Sequence, residues 1–157
     1  MGEIALNILT GIVIAAVSAW ITVQLSLKRF RKEKWWERKA DAYVRVIEAL
    51  HHVKNFPDRL FDAGSSGQNL PEEKEKELIK HAEKAENEIQ KALDIGAILL
   101  SKEAIIRLKH YKKDLDDALS QDPQRQNYYE FQLTVLENSK KCLEDIIKIS
   151  KKDLKTN

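Results

Sequence analysis

Between Ile4 and Leu27 the chain runs for 24 positions without a charged residue, and this stretch constrains everything else. A helix rising 1.5 Å per residue crosses a ~30 Å hydrocarbon core in about 20 residues, so the segment is long enough to span a membrane. Helices in soluble cores seldom stay uncharged over such a length. Asn7, Thr10, Ser18, Thr22, Gln24 and Ser26 make it less greasy than a poly-leucine span. Residues 1–27 are therefore read as a single N-terminal transmembrane anchor.

Orientation follows from the flanks. Only Met1, Gly2 and Glu3 precede the segment, whereas Lys28, Arg29, Arg31, Lys32 and Lys34 follow it at once. A secretory signal peptide has the reverse order, with positive charge first. The positive-inside rule then places the N-terminus outside and the remainder in the cytoplasm. Residues 28–39 form a basic juxtamembrane helix, its cations lying near anionic headgroups. Seven basic and three acidic residues give positions 1–39 a net charge of +4, and the rest of the chain sums to −2. Met-Gly-Glu resembles the start of a myristoylation signal, but Leu6 stands where that signal has Ser or Thr.

Gly11, Ala15 and Ala19 recur every four residues. They form a small-residue strip on one side of the span, along which a second helix can approach closely. Trp20 and Trp35 are read as interfacial aromatics at headgroup level.

Residues 40–157 are read as one cytoplasmic helical domain. Five glycines and three prolines leave little material for a turn-rich β fold, and abundant Lys, Glu, Leu and Ala favour helix. The class is all-α, with the anchor helix running on into an antiparallel bundle of about four helices. The first is expected to reach about Phe56, stopped by Pro57, with Trp36, Ala40, Tyr43, Ile47 and Leu50 on its inner face. Pro57 to Pro71, containing Gly64-Ser65-Ser66-Gly67, are read as the one obvious loop, and Pro71 suits the first turn of a second helix running to about Leu100. Its inner positions are Leu78, Ala82, Ala85, Ile89, Ala92 and Gly96.

Ser101 is the expected N-cap of a third helix with Ile105, Leu108, Tyr111 or Lys112, Leu115 and Leu119 inward. Asp122-Pro123 separates it from a fourth, whose apolar side is read as Tyr129, Leu133, Leu136, Leu143, Ile146 and Ile147, interrupted near Lys140. An even helix count would return Lys151, Lys152 and Lys155 toward the bilayer, although an ordinary frayed tail is the preferred reading of these residues.

Chemistry is hard to find. Cys142 is the only cysteine, which excludes an intrachain disulfide, and its apolar neighbours predict a buried, inert thiol. His51, His52, His81 and His110 are the histidines, and Glu48 to His51 gives one Glu-x-x-His. A di-metal bundle needs two such motifs and two further glutamates, so no metal or other cofactor is expected. Phosphate loops, nucleophile elbows and zinc-protease motifs are missing. Nucleic-acid binding is not expected either, since Lys28 to Lys39 lie within about 18 Å of the membrane by helical rise.

The run Lys34-Trp35-Trp36-Glu37-Arg38-Lys39-Ala40-Asp41-Ala42-Tyr43, with Asp94-Ile95-Gly96-Ala97 leading into Ser101-Lys102-Glu103-Ala104, resembles small uncharacterised bacterial proteins with one N-terminal membrane helix. That resemblance implies this architecture and a bacterial inner membrane, and brings no activity with it. The expected function is a non-enzymatic, membrane-anchored scaffold or interaction module that places a protein partner or its own oligomer at the cytoplasmic face. The alternative is a membrane-acting effector, a pore or depolarising assembly in bacterial stress or phage defence.

Overall fold

A computed structural model of the chain describes residues 2–67, 70–120 and 128–155. Helix α1 spans Gly2–Ser65, α2 Glu72–Ile95, α3 Lys102–Ser120 and α4 Tyr128–Lys155, with a 3-10 turn at Gly96–Ile98 between α2 and α3. The described residues contain no strand, and the all-α class stands. Two compact units are present, Met1–Glu37 and Arg38–Asn157.

In the first unit every side chain from Gly11 to Glu37 is exposed. Thr22 donates its hydroxyl to the Ser18 carbonyl at 2.8 Å, so a polar group in the apolar stretch is satisfied by its own helix. Beyond the stretch, Arg29 pairs with Glu33 at 2.9 Å and Lys34 with Glu37 at 2.5 Å. Both pairs are exposed and stabilise little.

The second unit has a core. Along α1, Tyr43, Val46, Ala49, Leu50, Val53 and Phe56 are buried, spaced by threes and fours so that one face turns inward. Leu108 and Tyr111 from α3 and Cys142 and Ile146 from α4 complete its centre. The inner face of α1 begins one turn later than expected, because Trp36 remains 46% exposed.

Pro57 does not end α1. It lies buried inside a helix that continues to Ser65, where burial outweighs the backbone hydrogen bond that proline cannot make. The true stop comes at Gly67, whose φ of 64° suits only a residue without Cβ. Ser65 and Ser66 both donate their hydroxyls to the Asp62 carbonyl, each at 2.9 Å.

Helix α2 starts one residue after Pro71, whose carbonyl accepts from the Glu75 N–H at 3.0 Å. Glu72, Glu73 and Glu75 fill its first turn, where carboxylates complement the positive end of the helix dipole. It ends earlier than expected, at Ile95. At Gly96 the Leu100 side chain folds back so closely that an added Cβ would stand 3.0 Å from its Cδ1. Ser101 caps α3 as expected, its Oγ accepting from the Ala104 N–H at 3.2 Å.

The register of α4 differs from the expected one. Tyr129 and Leu133 are 52% and 45% exposed, and the buried stripe is Gln132, Leu136, Ser139, Cys142, Ile146 and Ile149. Ser139 enters the core because Tyr111 hydroxyl meets its Oγ at 3.0 Å, which removes the cost of burying it alone. The expected break at Asp122-Pro123 lies outside the described residues, as does the burial of Leu119.

Candidate membrane anchor and polar grooves

Among the described residues, α1 is the one helix long and apolar enough to cross a membrane, and none of its apolar window is buried. Gly11, Ala15 and Ala19 are exposed, and a Cβ added to Gly11 would meet nothing within 4 Å. Trp20 and Trp35 are exposed too. Of the five basic residues that follow the stretch, Arg29 and Lys34 face glutamates on their own helix, while Lys28, Arg31 and Lys32 make no ion pair among the described residues. Lys34 holds the Glu37 carboxyl below the usual carboxylate range.

Inside the second unit, one polar network joins three helices. Tyr43 on α1 donates its hydroxyl to Asp153 Oδ2 on α4 at 2.7 Å and accepts from the Ser101 N–H at 3.2 Å. Lys39 reaches Asp153 Oδ1 at 2.9 Å, and Lys152 reaches Glu103 on α3 at 3.4 Å. The start of α1's packed face, the start of α3 and the end of α4 therefore meet. Burial pushes the Tyr43 phenol up, partly offset by its bonds to Ser101, so the hydroxyl keeps its proton for Asp153.

Contacts at the other end complete the arrangement. Lys140 on α4 approaches Asp58 at 3.5 Å, and the Phe61 and Tyr129 rings lie 6.3 Å apart. Sequence reasoning identified Ser101 and Tyr43 but not Asp153, because nothing local links residues separated by 110 positions.

Two grooves flank α1 and α2. One, of about 420 Å³, is lined by Arg45, Glu48, His52, His81, Lys84 and Glu88. His52 meets His81 edge-on at 5.8 Å and His51 at 5.9 Å. Glu48 therefore shares the groove with His52 rather than with His51, its partner in the Glu-x-x-His spacing. No group of three or more His, Cys, Asp or Glu side chains among the described residues is placed to hold a metal ion. Lys91, by hydrogen bond and charge, keeps Glu88 below the usual range against the effect of burial, helped by Arg45 and Lys84. The second groove, of about 260 Å³, has an apolar floor of Val46, Ala92 and Leu100 with Arg38, Arg45 and Lys91 at its rim.

No protein-family model, curated protein or solved structure matches the chain. Its functional reading rests on its own residues. Cys142 is fully buried, and that burial pushes its thiol up to about 12, which makes it a packing residue rather than a nucleophile. Burial also raises the Tyr111 phenol far above its ordinary value.

Proposed function

We propose that the chain is a single-pass, membrane-anchored interaction module whose helical unit forms an antiparallel four-helix bundle on the cytoplasmic face of a bacterial inner membrane. The observation that carries this reading is the apolar helix itself, uncharged from Ile4 to Leu27 and without a burying partner along its described side chains. Lipid supplies the missing cover. The basic residues from Lys28 to Lys39 orient the unit inward, and the pairing of Lys39 with Asp153 and of Asp58 with Lys140 supports an α4 that runs opposite to α1. The module binds and places, without catalysis, either a protein partner or further copies of itself.

The test is the mass and composition of the complex extracted from native membranes in mild detergent, read by native mass spectrometry at normal expression. A stoichiometric second protein or a defined homo-oligomer is expected. A bare monomer, under conditions that keep known complexes intact, would overturn the reading.

A second reading rests on the open strip at Gly11, Ala15 and Ala19. Spans associating there could form a depolarising assembly, a membrane-acting effector in stress or phage defence. Expression would then collapse the membrane potential, and Gly11→Leu would restore it. An unchanged potential in the parent chain rules this reading out.

A further inference from the structure

The most exposed large apolar side chains of the helical unit are Ile95 and Ile98, at 70% and 72%. They sit where α2 gives way to the 3-10 turn, and Ala97 beside them is exposed as well. Nothing among the described residues covers them. Arg38 and Ile95 line the same groove, so these isoleucines lie at the end of the unit where the chain arrives from the apolar segment. The Tyr43–Ser101 and Lys39–Asp153 contacts bring the start of α3 and the end of α4 to that same end.

Basic side chains predominate there, beside the exposed acids Asp41 and Asp94. Lys102, Lys151 and Lys155 are exposed, and none of them forms an ion pair among the described residues. The acidic groups Asp153 and Glu103 are engaged by Lys39 and Lys152. At the opposite end, α2 begins with four glutamates and two lysines within Glu72 to Glu77. Exposed isoleucines at the same end of the unit as unpaired lysines match the boundary between acyl chains and anionic headgroups, the combination that holds peripheral helices at a bilayer surface.

We infer that this end of the unit, with Ile95 and Ile98 as the inserted groups and Lys102, Lys151 and Lys155 around them, binds the anionic surface of the bilayer. The inference rests on the anchoring proposed above. Arg38, where the unit begins, follows Leu27 by eleven residues in the sequence, so the chain tethers this end of the unit near the end of the apolar segment. A lysine at this end attracts anionic headgroups when it comes within a Debye length of the surface, roughly 8–10 Å. The contact fixes the height of the unit above the membrane, so the grooves lined by Arg45 are presented at a constant level to whatever they bind.

The experiment uses the full chain reconstituted in vesicles of phosphatidylcholine, with or without about one third phosphatidylglycerol. Single nitroxide labels are introduced through Ile98→Cys, Val17→Cys or Ser66→Cys, and their accessibility to oxygen and to a water-soluble nickel complex is compared. The buried Cys142 thiol does not react in the folded protein, so it can stay. Expected are a lipid-like Val17 label in both vesicles, a water-like Ser66 label in both, and an Ile98 label that is lipid-like only with the anionic lipid. Removing Lys102, Lys151 or Lys155 should lower the ratio of inserted to free label about fivefold for each lysine. A water-like Ile98 label beside a lipid-like Val17 label overturns the surface contact alone. An Ile98 label that inserts equally into both vesicles overturns the role of the lysines, and a water-like Val17 label overturns the anchor and the contact together.

Discussion

Helix α1 belongs to both units, and its two halves obey different rules. From Gly11 to Glu37 every side chain is exposed, whereas from Tyr43 to Pro57 one face is buried almost completely. The backbone is the same and the patterning is not. Up to Leu27 the first stretch carries no charge on any side, so no single face is set aside for a neighbouring helix. The second alternates Tyr43, Val46, Leu50 and Val53 with Asp41, Arg45, Glu48 and His52, which assigns one side to a core and one to water. Helix formation alone therefore says little about what a segment does. The distribution of charge around it decides which surroundings it requires.

That contrast can be broken most severely from inside the core. Leu108 is fully buried among α1, α3 and α4 residues, so Leu108→Ala should cost the helical unit about 2–5 kcal/mol, read by denaturant unfolding in mild detergent. Val17→Ala, on the exposed stretch, should leave the same transition where it was. Equal effects from the two substitutions would show that the halves of α1 are not distinct in this way.

The reverse substitution probes the other side of the comparison. Val17→Arg puts a charge near the middle of the apolar stretch, where insertion scales assign about 2.5–3.5 kcal/mol. The fraction retained in membranes after an alkaline wash should fall, with no change in unfolding of the bundle residues. Retention equal to that of the parent chain would remove the case for a lipid environment.

Much of this arrangement was legible beforehand, and the failures have definite causes. The uncharged stretch, the inner face of α2 through Ala85 and Ile89 and the Ser101 cap are local patterns, each readable within a few turns. Pro57 reads as a stop in the sequence, since the benefit of burying its ring depends on partners far away in the chain. In α4 the apolar pattern runs through Tyr129 and Leu133 and is interrupted near Lys140, whereas the Tyr111 hydroxyl makes the polar Ser139 an inward residue. The tip at Ile95 and Ile98 was hidden because an unbroken helix to Leu100 would have used those isoleucines as ordinary helical positions. Only the turn begun at Gly96, with Leu100 folded over it, leaves them outside.

The network at Tyr43 is the next test in size. Tyr43→Phe keeps the buried ring and deletes the hydroxyl that donates to Asp153 and accepts from Ser101. Loss of a hydrogen bond to a charged group should cost about 1.5–3 kcal/mol, and hydrogen exchange should quicken first near Ser101 and at the end of α4. An unchanged exchange pattern at both places would mean that packing, and not this hydroxyl, joins the helices there.

The smallest effect expected separates a local charge pair from one made by folding. Glu37 is held below its ordinary value by Lys34, three residues away on the same exposed helix, so its shift needs only local helix. Asp58 differs. Burial pushes its carboxyl up, but Lys54 and Lys140 together outweigh burial and leave it below the ordinary 3.8. Lys140 comes from another helix and is in place only when the unit is folded. A carboxyl depressed in the folded state contributes stability that is present above its unfolded value and is lost as pH falls through the folded one. Unfolding of the parent unit should therefore become easier below about pH 4, and Asp58→Asn should flatten that dependence by removing a small stabilisation at pH 7 and matching the parent once Asp58 is protonated. Added salt should shrink the difference, because Asp58 and Lys140 are both partly exposed. A slope below pH 4 that persists undiminished in Asp58→Asn would assign the acid sensitivity to other carboxylates.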